Sequence, residues 1–453
     1  MPDPTAVNPA VASRQRRALV TPGERLPDSA IQLARDQNAR TRSVEAAVRE
    51  CTERIELLEG AAHAWAHVDA AQALVRARAL DRAPVQGLLH GVPIAVKDVI
   101  DTYDHPTQMG SPIYVGHQPV NDASCVARLR AAGALILGKT VTAEFAGSAP
   151  GPTVNPHDVL HTPGGSSSGS GAAVALGMTP VALGTQTGGS VLRPASFCGV
   201  VGYKPSFGRW NRTGVKPAAD SLDTLGLLAR SIEDMHLIDA VLSGRPWVAL
   251  LPRKPMRIGL CRTHLWALAS EDTQTAIEDA AGRLAVAGVE LIDVDPLPGF
   301  DQITPQRAVL ATCERAHAMA DEWSRHREKL STQLCQGITA GLAITPDRYF
   351  ESVVFARAQR ARIDQTFAQV DLLLTPCVPG EAPLGLTSTG DPRFQELWTF
   401  LHLPALSLPT HRGASGLPVG IQVVGRLGDD ERVLAMVAWV LRTLGPWHDG
   451  LVV

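Results

Sequence analysis

Between residues 92 and 186, short apolar runs alternate with segments of helical periodicity. The runs VPIAVK, ALILG and PVALG each have the length and composition of one buried strand. Between the first two, SCVARLRAAG has apolar residues three and four positions apart and ends at Gly133, as a helix does. Strands that alternate with helices predict an α/β fold. We expect a single large mixed, mainly parallel sheet with helices on both faces.

Further elements are expected on both sides of this unit. Helical spacing predicts helices at 28–59, 62–82, 271–287 and 429–443. Pro and Gly residues at 243–256 predict a linker. RIGLC and VELIDVD are predicted strands on either side of the helix at 271–287, and the three form another βαβ unit. LLLTP, LPALSLPT and GIQVVG read as strands that return to the sheet, which predicts one domain over 1–453.

Charge and cysteine content restrict the expected partners and compartment. The 453 residues carry a formal net charge of -3, and Lys and Arg are scattered without a basic stripe, so we expect no nucleic acid partner. The seven cysteines are odd in number and form no C-x-x-C motif, which predicts a reducing cytoplasm. No run approaches the roughly 20 apolar residues that span a bilayer, so we expect a soluble protein with no membrane partner.

Residues 133–140, GALILGKT, satisfy the G-x-x-x-x-G-K-T pattern of phosphate-binding loops. In such a loop the central residues form a turn after a strand and before a helix, with their amides facing the phosphates. Here the central residues are an apolar run that follows a helix and belongs inside a sheet. We therefore reject a P-loop nucleotide-binding protein and interpret Lys139 as an ordinary residue at a strand end.

Two Gly-Gly-Ser segments, in HTPGGSSSGSGAA (161–173) and in TGGS (187–190), are candidates for catalysis. A catalytic serine needs a base within hydrogen-bond reach and donors for the oxyanion. Glycines in the second segment allow the N–H groups of Thr187, Gly188, Gly189 and Ser190 to converge on one point. The alternative is a tight turn with an incidental serine.

Lys97 is the candidate base, because it ends the apolar run VPIAVK. Burial would lower its pKa from about 10.4 and leave a neutral amine that can accept a proton. The alternative is a structural ion pair with Asp98 or Asp101.

Four long motifs in order carry a resemblance to a known family: LHGVPIAVKDVIDT, PGGSSSGSGAAVALG, LGTQTGGSVLRPASFCGVVGYKPS and SLDTLGLLARSIED. With them the chain resembles the amidase signature family of serine hydrolases, whose fold it is expected to share. The similarity covers a signature core at 60–240, is weak over a variable, substrate-side region at 245–370, and resumes over 371–453, where strands and a helix complete the sheet.

The resemblance implies a Ser-Ser-Lys triad. Ser190 is the nucleophile, Ser166 follows a cis peptide bond with Gly165 and passes the proton on, and Lys97 is the base; the turn at 187–190 is the oxyanion hole. The implied enzyme is an amidase that hydrolyses a small-molecule amide, and by similarity of shape a carbamate (urethane), through an acyl-enzyme without a metal or organic cofactor. A homodimer is common in the family.

Two departures from the family pattern bear on specificity. Many members have Asp in place of Gln186 and Arg in place of Leu192, whereas the arginine here is Arg193. This variant resembles malonamidase-like small amidases, in which that arginine binds a substrate carboxylate. A structural role is the alternative for Arg193, and core packing is the alternative for the aromatic residues near LPALSLP. The predicted substrate-binding residues are Arg193, Met109, Arg209 and Trp398.

The family also leaves a second role open. The chain could be the amidase subunit of a tRNA-dependent amidotransferase, which needs a partner and channels ammonia. The departures at Gln186 and Leu192 weaken this alternative. A non-catalytic binding relative is a third reading, which would have to explain why all three triad positions are filled.

Overall fold

The computed structural model describes residues 18–20, 24–294 and 298–445. In these residues eleven strands form one sheet, in the spatial order β1, β3, β2, β4, β6, β5, β10, β11, β9, β7, β8. The strands are β1 (Trp65–Val68), β2 (Pro93–Lys97), β3 (Leu135–Thr140), β4 (Val181–Gln186), β5 (Val201–Lys204), β6 (Thr224–Ala229), β7 (Arg257–Leu260), β8 (Glu290–Asp293), β9 (Leu372–Pro376), β10 (Ala405–Arg412) and β11 (Pro418–Val424).

Helices fill the connections between these strands. They are α1 (Ala30–Asn38), α2 (Val44–Ala62), α3 (Ala70–Arg82), α4 (Ser124–Ala131), α5 (Ser168–Ala175), α6 (Leu192–Cys198), α7 (Ile232–Ser243), α8 (Glu271–Val286), α9 (Ile303–Ala318), α10 (Ala320–Arg325), α11 (Thr332–Leu342), α12 (Pro346–Ile363), α13 (Arg393–Phe400) and α14 (Asp430–Leu444). None of the described helices is long and apolar enough to cross a membrane.

The sheet has an apolar core on each face. Ile94 and Val96 of β2 belong to one core cluster, whereas Ala95 between them belongs to the other. Because successive strand residues point to opposite faces, both faces of β2 are covered. Helix α7 contributes to the first cluster through residues such as Met235, and α5 to the second through residues such as Val174.

The prediction of a single mixed sheet is confirmed, but its parallel part is smaller than the sequence suggested. Among the described strands, β2 pairs in parallel with β3 and β4, and β7 with β8 and β9. The other six neighbouring pairs are antiparallel. The alternation of strands and helices marks only the parallel groups, since strand direction also depends on which strands become neighbours. The β10–β11 pair, for example, is a hairpin closed by a short turn with Gly416 at φ 82.

The N-terminal helix predictions need correction. The segment 28–59 divides into α1 and α2, because Ser43 caps a new helix by accepting a hydrogen bond from the Ala46 N–H at 3.1 Å. The segment 62–82 contains the edge strand β1 before α3. His63 ends α2 in the left-handed conformation (φ 49), which redirects the chain toward that strand.

Two neighbouring strands place the candidate catalytic residues at one edge of the sheet. β2 and β4 are parallel neighbours, with Ile94 opposite Val181. Their carboxyl ends therefore meet at the same edge, where β2 ends in Lys97 and β4 leads into the turn at 187–190. The GALILGKT segment, in contrast, forms β3, so rejection of a phosphate-binding loop is supported by its strand geometry.

Candidate active site

Lys97 is completely buried and contacts hydroxyl groups instead of carboxylates. Its Nζ lies 2.7 Å from Ser166 Oγ and 2.8 Å from Thr185 Oγ1. The alternative ion pair is not formed: Asp98 lies 3.6 Å from Lys139 Nζ, and within the described chain no carboxylate lies within 4.0 Å of Lys97. Burial holds the pKa of Lys97 well below its usual range, and the nearby Asp223 acts in the opposite direction.

Ser166 lies in a tightly packed loop before α5. The Gly165–Ser166 peptide bond is cis, as the family resemblance implies. The carbonyl of Ser166 accepts a hydrogen bond from the Ala143 N–H at 3.0 Å, and Ser166 itself is fully buried. Ser167 Oγ donates to the carbonyl of Thr185 at 3.3 Å, so the neighbouring serine ties this loop to the end of β4.

The carbonyls of the turn at 187–190 accept hydrogen bonds, whereas its main-chain N–H groups have no acceptor among the described residues. The carbonyl of Thr187 accepts from Arg307 Nη2 at 3.2 Å, and that of Gly188 accepts from Thr399 Oγ1 at 2.7 Å. In the described part of the chain, nothing accepts a hydrogen bond from the four main-chain N–H groups of this turn. These donors are therefore available to an oxyanion.

Two side chains pack closely against the glycines of this turn. A Cβ at Gly188 would lie 2.8 Å from Arg307 Nη2, and a Cβ at Gly189 would collide with Gln395 Oε1. Ser190 follows them and is partly exposed, whereas Ser166 and Lys97 are buried. Across the described residues, no hydrogen bond joins the hydroxyls of Ser166 and Ser190; the Ser167 N–H instead donates to the Ser190 carbonyl at 3.2 Å.

A cavity of about 390 Å³ adjoins this turn. Its lining includes Thr185 in β4, Thr187 just after that strand, and the segment 211–218. Asp223 also lines it and anchors the turn, because one oxygen accepts from Thr187 Oγ1 at 2.6 Å while the other accepts from the Ala218 and Ala219 N–H groups at 2.7 and 2.9 Å. The cavity thus adjoins Thr187, the first residue of the candidate oxyanion hole, whereas Ser190, Ser166 and Lys97 are not among its lining residues.

Arg193 contacts the loop that precedes Ser166 and is not among the residues that line this cavity. It is only 4% exposed, and its Nη2 donates to the carbonyl of Gly165 at 2.6 Å and to Thr389 Oγ1 at 3.1 Å. Its Nε and Nη1 are buried and find no partner among the described residues. The geometry therefore corresponds to the structural alternative, although the contact is with a carbonyl and not with a carboxylate.

The structure does not bring the other predicted substrate residues to the cavity. Arg209 makes a bidentate ion pair with Asp239, with both contacts at 2.7 Å. Met109 packs into the core in a left-handed conformation (φ 59). Trp398 is fully buried against Phe300, with ring centroids 5.7 Å apart, in the same cluster as Phe394 and Phe400. Core packing, the alternative considered for these aromatic residues, accounts for them.

Several residues of the site could not be identified from the sequence. Thr185 and Asp223 lie inside the family motifs, which indicated that these segments matter but not which atoms the two side chains contact. Arg307 and Thr399 lie outside those motifs, on α9 and α13 respectively, and reach the turn only through the tertiary fold.

Comparison with known proteins identifies relatives along most of the chain. The Amidase family profile matches residues 46–434. A glutamyl-tRNA(Gln) amidotransferase subunit from Nitratidesulfovibrio vulgaris is 36% identical over 460 residues, which cover 89% of this chain and 94% of the relative. The corresponding protein of a Cyanothece species is 32% identical, with coverage of 91% and 96%. A crystal structure of an amidase superposes with a TM-score of 0.84 at 31% identity, with coverage of 92% and 100%.

Proposed function

The chain belongs to the amidase signature family, whose members hydrolyse C–N bonds of amides, and on this premise we propose that Ser190, Ser166 and Lys97 form its catalytic triad. Ser190 attacks the amide carbonyl, while its proton passes through Ser166 to the neutral amine of Lys97. The proton then moves to the leaving amine, and water hydrolyses the acyl-enzyme by the reverse path.

The observation that carries this proposal is the buried contact between Lys97 and Ser166. A charged lysine without a carboxylate partner is costly to bury, so the hydroxyl contacts at 2.7 and 2.8 Å favour the neutral amine that a base requires. The missing Ser166–Ser190 hydrogen bond is compatible with this path, because catalytic hydrogen bonds often tighten only when substrate binds. The unoccupied N–H groups at 187–190 supply the oxyanion hole.

We propose a neutral amide or carbamate as the substrate. The cations that line the cavity are already paired: Lys216 Nζ lies 2.6 Å from Glu322, and Arg212 lies 3.3 Å from Asp220. Arg193 is not among the residues that line the cavity, and its Nη2 donates to the Gly165 carbonyl. A substrate carboxylate that binds Lys216 or Arg212 would therefore have to compete with a carboxylate of the protein, whereas a neutral group would not. A carbamate is close to an amide in shape and charge, which makes urethane cleavage an expected activity of the same site.

The test is amine release from a matched set of an aryl amide, the corresponding aryl carbamate and a small amide with a free carboxylate. We expect turnover of the two neutral substrates by the parent protein and loss of turnover in Ser190→Ala. Ser168→Ala is the matched control, because the Ser168 hydroxyl makes only a long contact of 3.4 Å with the Val141 carbonyl. Full activity in Ser190→Ala would overturn the triad, and preference for the carboxylate substrate would overturn the substrate proposal alone.

A second candidate function is the amidase subunit of a tRNA-dependent amidotransferase. It is favoured by the names of the relatives, which are 32 to 36% identical to this chain over nearly its whole length. The discriminating measurement is turnover of a simple amide by the purified chain alone. Turnover at the rate of other amidases would favour a free-standing enzyme, and turnover that appears only with a co-purified partner would favour the subunit.

Two properties of the whole protein are also proposed. All seven cysteines are free, which supports a reducing, cytoplasmic location. The homodimer implied by the family stays a prediction. Cell fractionation and light scattering test the two properties.

A further inference from the structure

A buried chain of two hydrogen bonds connects the end of β4 with the nucleophile turn. Gln186 Nε2 donates to Thr399 Oγ1 at 3.0 Å, and Thr399 Oγ1 donates to the carbonyl of Gly188 at 2.7 Å. Gln186 is 0% exposed and Thr399 is 1% exposed, so water cannot replace either contact. The sequence singled out Gln186 only as a departure from the family pattern, and the triad chemistry does not use it.

The orientation of the Gln186 amide is fixed by its other contacts. Its Oε1 accepts from the Val191 and Leu192 N–H groups at 2.9 and 3.1 Å, at the start of α6. These two donors require an oxygen, so the amide nitrogen must face Thr399. The side chain therefore accepts at one end and donates at the other, which a carboxylate at this position could not do.

The donation to Thr399 determines where the threonine hydroxyl sends its single proton. A hydroxyl has one proton and two lone pairs, and one lone pair accepts from Gln186. The proton is left for Gly188 at 2.7 Å or for the Gln395 carbonyl at 3.2 Å, and the shorter contact is the one to Gly188. With a carboxylate at position 186, the proton of Thr399 would be drawn to that carboxylate and the Gly188 carbonyl would lose its donor.

Fixing this carbonyl also fixes a donor of the oxyanion hole. The carbonyl of Gly188 and the N–H of Gly189 belong to one planar trans peptide and point in opposite directions. Glycine neighbours permit this peptide to rotate more freely than others would. A hydrogen bond that holds the carbonyl on the side of α13 therefore aims the Gly189 N–H away from α13.

We propose that Gln186 and Thr399 are positioning residues that orient the Gly188–Gly189 peptide for oxyanion stabilisation. The proposal rests on the proposed function, in which Ser190 attacks and the turn at 187–190 binds the oxyanion. It also assigns a reason to the amide at position 186: it both caps α6 and directs the proton of Thr399.

The experiment compares Thr399→Val, which keeps the shape and removes the hydroxyl, with Thr399→Ser, which keeps the hydroxyl. We expect Thr399→Val to lower kcat for the aryl amide by about tenfold or more at little change in KM, since a small misplacement of an oxyanion donor is costly. Thr399→Ser restores most of that loss. Thr179→Val is the matched control, because it also removes a buried hydroxyl that donates to a carbonyl. The Thr179 hydroxyl lies 2.9 Å from the carbonyl oxygen of Val181, at the other end of β4.

A second readout separates oxyanion binding from stability. An aryl trifluoromethyl ketone adds to the serine and mimics the oxyanion, whereas the matched aryl methyl ketone remains a ground-state ligand. We expect Thr399→Val and Gln186→Glu to weaken binding of the first and not of the second. Thr399→Ala replaces the valine variant if that variant does not fold.

The outcomes distinguish this inference from the proposed function. If Ser190→Ala is inactive but Thr399→Val keeps the parent kcat and inhibitor affinity, the positioning role is wrong and the triad stands. Equal losses of kcat in Thr399→Ser and Thr399→Val also overturn the positioning role. Failure of both Thr399→Val and Thr399→Ala to fold overturns it as well. If Ser190→Ala stays active, the proposed function itself fails.

Discussion

Replacement of Lys97 by Met tests whether the candidate base is neutral in the folded protein. The side chain is 0% exposed, and methionine has nearly the same length without the amine. A lysine kept neutral by the fold lowers the free energy of unfolding by about 1.4 kcal/mol for each pH unit below about 10.4, where the unfolded chain binds a proton that the folded chain does not. The lost hydrogen bonds to Ser166 and Thr185 are worth about 1 kcal/mol each.

The effect of Lys97→Met on the free energy of unfolding is therefore expected to change sign with pH. For an amine that is neutral in the folded chain at neutral pH, the removed protonation penalty exceeds the roughly 2 kcal/mol of the two hydrogen bonds, so Lys97→Met should unfold at a higher urea concentration than the parent. At alkaline pH the penalty disappears, and the variant should be the less stable protein. Its kcat should fall by about 10²- to 10⁴-fold at every pH, because the general base is gone.

Urea unfolding of both proteins at neutral and alkaline pH, with amide turnover in parallel, measures these effects. Lys329→Met, at an exposed lysine, serves as the control for the substitution itself. If Lys97→Met is less stable than the parent by the same amount at all pH values, the amine is charged in the folded state and the assignment of a neutral base is wrong.

The same contacts lead to three further predictions. The kcat/KM of the parent should rise with pH and reach a plateau at a pH below the usual lysine pKa of about 10.4, because burial lowers the pKa of Lys97. A kcat/KM that keeps rising up to that pH would contradict this. Arg193→Lys should lower kcat for neutral amides, because an ammonium cannot reproduce the guanidinium contacts with Gly165 and Thr389. If kcat is unchanged and KM rises only for the carboxylate substrate, Arg193 binds the substrate after all. Arg209→Ala should lower the free energy of unfolding by about 2 kcal/mol, because buried Asp239 loses its two hydrogen bonds from Arg209 but keeps those from Arg245 and Trp210. The folded enzyme should keep its kcat, and a specific rise in KM would contradict this.

The sequence was sufficient where a local pattern determines a local structure. The apolar runs at β2, β3 and β4 and the glycine stop after α4 are recognisable because strand burial and helix termination depend on neighbouring residues. It was insufficient for β1, an edge strand of four residues, Trp65–Val68, whose pairing with β3 is decided by tertiary contacts. The sequence also did not predict the antiparallel strands at the centre of the sheet, because their pairing is decided by tertiary contacts as well.

Side-chain partners were the least predictable part of the site. Arg193 and Arg209 are both arginines close to family motifs, and both were predicted to contact substrate. The fold gives one a carbonyl, that of Gly165, and gives the other a carboxylate, that of Asp239, and neither partner adjoins its arginine in the sequence. A guanidinium takes whichever acceptor the fold presents, so sequence proximity to a motif does not determine its role.

The segment 245–370, predicted from the sequence to be a variable, substrate-side region, contacts the candidate oxyanion turn. Arg307 lies on α9, inside the variable segment 245–370, and its Nη2 donates to the carbonyl of Thr187 while its Nη1 pairs with Glu396 at 2.7 Å. By the geometry of the trans peptide, holding the Thr187 carbonyl orients the N–H of Gly188, as Thr399 does for that of Gly189. The core motifs thus supply the donors of the proposed oxyanion hole, whereas Arg307 and Thr399, which contact two of its carbonyls, lie outside those motifs. Substitutions in α9 that change the substrate are therefore expected to alter kcat as well as KM, because this helix contacts the turn proposed to stabilise the transition state.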